Sequence, residues 1–190
     1  MVSNDKKRIA KIVSTVFGNT PKIWEYCDNK KKKNIDILTV ENSPMEFISS
    51  HCTIGLSDYS TGYTVEDKSL RVEIVGAFAS DYEYAPNILA TCAFYVMNSN
   101  LKIFHGEIFL NVVNEYYPES DMKHILLSTP FLWDDLHTLD LKKKKIAWLL
   151  AIPISEKEFL FAKENDVNKL ETIFENKKID IFDIERQSVL

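Results

Sequence analysis

Apolar residues recur with two different periods along this chain. Between Lys6 and Phe17 the residues Ile9, Ile12, Val13, Val16 and Phe17 fall three and four apart, which places them on one side of a helix. Gly18-Asn19-Thr20-Pro21 breaks the pattern and predicts the helix end. Ile23 to Tyr26 and Ile35 to Val40 read as short strands around Lys30 to Lys33, a run of four lysines. No aromatic side chains alternate with those lysines, so the run reads as a solvated hairpin tip in preference to a nucleic-acid patch.

The period then changes to two. Phe47, Ser49, His51, Thr53 and Gly55 alternate with Ile48, Ser50, Cys52, Ile54 and Leu56, as in a strand with one mostly apolar face. Gly55 reaches backbone angles closed to other residues, and Ser57 and Asp58 readily bond nearby backbone, so Gly55-Leu56-Ser57-Asp58 predicts a shaped turn. Leu70, Val72, Ile74 and Gly76 alternate with Arg71, Glu73 and Val75, the pattern of a half-buried strand. A loop of about a dozen residues joins the two. Arg71 shares its strand with Glu73, and a charge on a mostly apolar strand needs a partner, for which Asp58 is the candidate.

Tyr84 to Met97 returns to the helical period, with Pro86 in the first turn where a missing amide proton costs least. Phe104-His105-Gly106-Glu107 opens an extended run to Val113, and Glu115 to Asp121 is a polar turn. His124 to Leu127 and Ile146 to Ile154 are dense enough in apolar residues to be interior strands. A second lysine run, Lys142 to Lys145, precedes the latter and reads as solvated like the first. Ser155-Glu156-Lys157-Glu158 matches a capping box and predicts a helix through Phe159, Phe161 and Ala162, with another over Asn168 to Asn176.

At 190 residues and 45% hydrophobic composition the chain has room for one sizeable core, so a single mixed α and β domain is expected over residues 1–190. No apolar run follows the charged N-terminus, and Ile146 to Ile154 is far shorter than the about 20 residues a membrane helix needs. Cys27, Cys52 and Cys92 form a sparse, odd set with no Cys-x-x-Cys pair. These features predict a cytoplasmic protein with free thiols, away from membranes.

Catalytic chemistry finds no foothold. A Gly-x-Ser-x-Gly elbow is absent, because Gly55-Leu56-Ser57-Asp58 lacks the second glycine. His51 and Cys52 are strand neighbours and point to opposite faces, which prevents joint chelation. His105, His124 and His137 have no partner at ligand spacing, and Asp134 and Asp135 flank a loop better than they form an acid and base pair. With only five glycines there is no phosphate-cradling loop. No catalytic, metal or cofactor site is therefore expected.

Charge gives a physical hint of a partner. Residues 79–140 carry nine acidic residues against two lysines, a net of minus seven, while the whole chain sums to minus five. Two segments in that window combine acid with aromatic rings: Glu115-Tyr116-Tyr117-Pro118-Glu119-Ser120-Asp121 and Phe131-Leu132-Trp133-Asp134-Asp135. Tyrosine and tryptophan are favoured binding anchors, and acidic surrounds steer a basic partner. Tyr116, Tyr117, Glu119, Asp121, Trp133, Asp134 and Asp135 are thus candidate partner-binding residues, and the competing reading is that these rings merely cap the core.

A family resemblance extends this reading. Gly55-Leu56-Ser57-Asp58, Arg71-Val72-Glu73-Ile74, the His105-Gly106 turn, Leu126-Leu127-Ser128-Thr129-Pro130, Ile152-Pro153-Ile154-Ser155-Glu156-Lys157-Glu158 and Asp183-Ile184-Glu185-Arg186-Gln187-Ser188 follow one another as in suppressor-of-fused-like domains. The resemblance covers roughly residues 20–190 and rests on the order of the six motifs. It implies an α+β fold, a mixed β-sheet flanked by helices, and a protein that works by binding. Within the family the chain is most similar to stand-alone bacterial members that act as antitoxins, the immunity partners of secreted LXG toxins with a nuclease end. A basic toxin domain is then the implied partner, with no direct contact to nucleic acid. The alternative function is an enzyme or small-ligand protein using the Gly55 to Tyr59 turn and Arg71.

Overall fold

Nine strands among the residues described by a computed structural model (2–18, 20–30, 32–99 and 102–190) join in one sheet, and helices cover both of its faces. The strands are β1 (Lys22–Cys27), β2 (Asn34–Glu41), β3 (Ile48–Ile54), β4 (Thr64–Val65), β5 (Lys68–Ala79), β6 (Ile108–Phe109), β7 (Met122–Ser128), β8 (Leu139–Asp140) and β9 (Lys144–Ser155). The helices are α1 (Asn4–Phe17), α2 (Ala85–Ser99), α3 (Glu156–Glu164) and α4 (Val167–Lys177). The main path across the sheet runs β1-β2-β3-β5-β9-β7-β6, with β4 on β5 and β8 on β9. Every pairing is antiparallel except β5 with β9, so the sheet is mixed, as the resemblance implied.

On one face α2 lays Ile88, Leu89, Cys92 and Val96 over Ile37, Val72, Ile74 and Phe78. On the other, Ile9, Val13 and Phe17 of α1 and Leu170 and Phe174 of α4 cover Leu38, Val75, Leu150 and Ile152. At its centre the sheet is covered on both sides and has no wet face, which corrects the half-buried reading of the central strands, while β1 at the edge stays exposed. Every residue of β3 is buried, as are Val72 to Phe78 of β5. The alternation read from the sequence sorts side chains between two apolar layers. Phe47, counted there as part of the strand, lies outside it at φ 64° and 73% exposed.

Local signals set most of the ends. Ser3 caps α1 by accepting the Lys6 N–H, and Ser155 and Glu158 complete the capping box of α3 with both reciprocal bonds. The extended run expected from Phe104 to Val113 shrinks to Ile108–Phe109. Past it the chain turns, because Asn111 adopts φ 60° and donates its N–H to Nδ1 of the buried His124.

Candidate partner-binding surfaces

The Gly55 to Asp58 turn forms as one 3-10 turn, Leu56–Asp58, and its chemistry is directed inward. Backbone pairing of β3 with β5 ends at Cys52 opposite Val75. Beyond that point the Thr53 hydroxyl oxygen accepts the Ile74 N–H, and the carboxylate of Glu73 fills the wedge between the strands. Glu73 is fully buried and accepts four hydrogen bonds: from the Thr53 hydroxyl at 2.7 Å, Gly55 N–H at 2.9 Å, and Leu56 and Ser57 N–H at 3.1 Å each. Burial still holds its carboxyl above the ordinary glutamate range. Gly55 sits at φ 112°, a conformation that favours glycine, and a Cβ there would push aside the Lys6 side chain, whose Cε lies 2.4 Å from its position.

This arrangement corrects the expected pairing of Arg71 with Asp58. Asp58 faces Lys144 at 3.4 Å, while Arg71 makes no ion pair among the described residues and its buried Nε has no partner. A half-buried arginine keeps part of its head in water and needs no counter-ion. Because Glu73 takes the N–H groups of residues 55 to 57, the turn presents none of them to a ligand. The second lysine run is also less solvated than expected: Lys144 reaches Asp5 at 2.9 Å, and Lys145 pairs with Glu66.

Three of the four histidines, His51, His105 and His124, have structural partners. His51 is buried against the Thr39 hydroxyl at 2.9 Å, and desolvation pushes its pKa down to about 3. His124 accepts at Nδ1, so its Nε2 carries the proton given to Glu156 at 2.8 Å. Ser128 donates to Glu171 at 2.6 Å, and His105 contacts the same carboxylate at 3.0 Å. The carboxylate thus stands between hydroxyl and imidazole, which is not the order of a serine triad, where the imidazole touches the hydroxyl. Burial raises the Cys52 and Cys92 thiols away from the reactive thiolate form.

The two acidic aromatic segments sit on opposite layers and do not form one anchor cluster. Tyr116 and Tyr117 are half-buried on the α2 side, where Tyr116 shares a hydrogen bond with Thr91 at 2.7 Å and the Tyr117 hydroxyl oxygen accepts the Tyr84 N–H at 2.9 Å. Tyr84, half exposed, stacks on Tyr116 with ring centroids 5.9 Å apart. Trp133 belongs to the α1 side and is only 6% exposed, stacked on Phe17 at 4.6 Å. Its expected role as an exposed anchor is corrected: the indole fills the layer between α1 and the sheet. Glu119, Asp121, Asp134 and Asp135 remain exposed. The first lysine run is a hairpin tip between β1 and β2, as predicted, with Lys31 outside the described residues, but Lys33 is half-buried and its Nζ donates to the Met97 carbonyl. The tip is not remote from the tyrosines, since Lys30 and Lys32 share a groove of about 690 Å³ with Glu115 and Tyr116.

A second buried charge was invisible to sequence reasoning. Arg186 forms a two-pronged pair with Glu158, Nη1 to Oε1 and Nη2 to Oε2 at 2.8 Å each, and donates to the Pro153 carbonyl. Glu158 also accepts the Val189 N–H, so the capping glutamate of α3 anchors the C-terminal segment.

The comparisons with known proteins agree with this architecture. Residues 31–187 match the family model of suppressor of fused protein. The chain belongs to the suppressor-of-fused family. It is 45% identical over 190 residues to immunity protein YqcF of Bacillus subtilis, covering 100% of this chain and 99% of that one. A crystal structure of a suppressor-of-fused homologue from Neisseria gonorrhoeae superposes with a TM-score of 0.74 at 17% identity, covering 98% of this chain and 97% of the other. Drosophila Suppressor of Fused gives 0.69 at 12% identity, covering 95% of this chain and 50% of the Drosophila one. At these identities the two structures speak for the fold alone.

Proposed function

We propose that this chain is a cytoplasmic immunity protein that binds and neutralises a secreted LXG-type toxin, and that the toxin's active end is a nuclease. The observation that carries the reading is the 45% identity to an immunity protein across the whole of both chains. The geometry supports binding over catalysis. Gly55 to Ser57 are committed to Glu73, and Ser128, His105 and Glu171 are not in the order of a serine triad. A nuclease presents a positive face to its phosphates, and exposed acid complements such a face. Glu119 and Asp121 beside the tyrosines, and Asp134 and Asp135 beside Phe131, supply that acid. Tyr116 and Tyr117 offer half-buried rings beside the former pair.

Growth under co-expression tests the reading. Cells producing the toxin encoded beside this chain should survive when the folded chain is present at equal or greater level. Equal killing with and without it, both proteins being folded, refutes immunity.

A further inference from the structure

Two large apolar side chains stand exposed at one part of the α4 layer: Met45 at 55% and Phe131 at 59%. Met45 and Phe131 flank a groove of about 780 Å³ whose walls include Leu132 and the segment 178–182, and whose floor includes the nearly buried Phe174. The polar floor is already satisfied, because Glu171 is held by Ser128 and His105. What the groove offers an incoming group is apolar wall and an acidic rim. Glu171, Glu175 and Asp180 line it against a single lysine, Lys178, and Asp134 and Asp135 follow Phe131 closely in the chain.

The loop that presents Met45 to this groove is strained, and it also carries Phe47, 73% exposed, which lines a separate groove with Tyr82 and Pro86. Asn42 and Phe47 both adopt left-handed backbone, at φ 55° and 64°, a conformation that a bulky aromatic residue rarely takes. It is held there by the Asn42 side-chain oxygen, which accepts the Phe47 N–H at 3.1 Å, by Ser43 N–H on the Ile48 carbonyl at 2.9 Å, and by the Ser50 hydroxyl on the Ser43 carbonyl at 2.6 Å. Packing needs no such effort to keep two large apolar side chains in water. A rigid apolar centre with a charged rim is the anatomy of a protein interface.

We infer that this groove is the docking site for a basic amphipathic segment of the partner. Apolar side chains of that segment seat between Met45, Phe131 and Phe182, and its Lys or Arg residues face Glu175 and Asp180. The inference rests on the immunity reading for the partner's identity, and it locates the contact on α4, the Met45 loop and the start of the Phe131 segment, away from Tyr116 and Tyr117.

The test uses catalytically inactivated toxin from the neighbouring gene and the full chain. Met45→Asp combined with Phe131→Asp changes only exposed side chains, so folding should be retained. The pair should weaken binding by roughly 30-fold or more, the loss expected at an interface centre. Glu175→Gln with Asp180→Asn should slow association and flatten its salt dependence, leaving dissociation nearly unchanged. Trp24→Ser, at a comparably exposed ring on the sheet edge, should change affinity by less than about twofold. Tight binding by wild type together with unchanged binding by both groove variants overturns the groove and leaves immunity standing. A wild-type chain that does not bind the toxin overturns immunity, and the groove falls with it. Wild type releasing a bound lipophilic small molecule that the groove variants do not retain, with toxin binding unaffected, assigns the groove to that ligand and likewise overturns the proposal.

Discussion

Replacing Glu73 by glutamine probes the feature around which the central strands are arranged. The two carboxylate oxygens divide the work: Oε1 accepts from Gly55 and Ser57, and Oε2 from Leu56 and the Thr53 hydroxyl. Glutamine keeps one acceptor oxygen and places an NH2 group where the second stood. Thr53 can rotate its hydroxyl and accept, but the Leu56 N–H then faces another donor with no room for water. One buried donor left unsatisfied costs about 1–3 kcal/mol, and the charge-assisted bonds lost are offset by the desolvation cost of the charge that goes with them, so the expected total stays at roughly 2–3 kcal/mol. For a chain of this size that lowers the melting temperature by roughly 4–12 °C, measured by circular dichroism at neutral pH. The pH dependence has a definite sign. Glu73 is held above the ordinary glutamate range, so the fold binds its proton more tightly than the open chain does. Its pH-linked contribution is complete in acid and falls as pH rises through the folded pKa, so the gap between wild type and Glu73→Gln should narrow over that window. A variant that melts within a degree or two of wild type would refute the claim that this carboxylate holds the turn.

Three other changes test the remaining assignments. His51→Gln should flatten the acid limb of stability below about pH 6.5, because a histidine pushed down to about 3 makes the fold lose about 1.4 kcal/mol for each unit of falling pH in that interval; an unchanged acid limb refutes it. Arg186→Ala should destabilise by about 3–5 kcal/mol and expose residues 180–190 to protease, whereas Arg186→Met with Glu158→Leu should recover much of the loss; urea melts and limited proteolysis decide. Trp133→Ala should cost about 3–5 kcal/mol of stability with toxin affinity of the folded fraction unchanged, and a loss of affinity at preserved stability would restore Trp133 as an anchor.

Much of the fold is legible because its signals are local. The 3.6-residue period of α1 and the capping box at Ser155 carry their own explanations, as do the apolar runs of β7 and β9. Layer assignment was not legible, because alternation reports that two faces differ and not what covers each. That gap made β5 look half-buried and Trp133 look exposed. Partners distant in sequence were equally hidden: Glu73 with residues 53–57, and Glu158 with Arg186, meet only in the folded chain. One signal was available, since Glu73 is an acid inside an apolar strand beside a Gly-Leu-Ser-Asp turn rich in free N–H groups. The apolar groove left no trace in sequence because Met45, Phe131 and Phe182 lie on separate loops that the fold brings together.

Neutralisation by stoichiometric binding is tested most directly by titrating the toxin's activity, proposed above to be that of a nuclease, with purified chain. Activity should fall linearly and reach its floor near one chain per toxin at concentrations well above the dissociation constant. Full activity in molar excess of folded chain would contradict the account. So would complete loss at a small fraction of equimolar, which only turnover could produce.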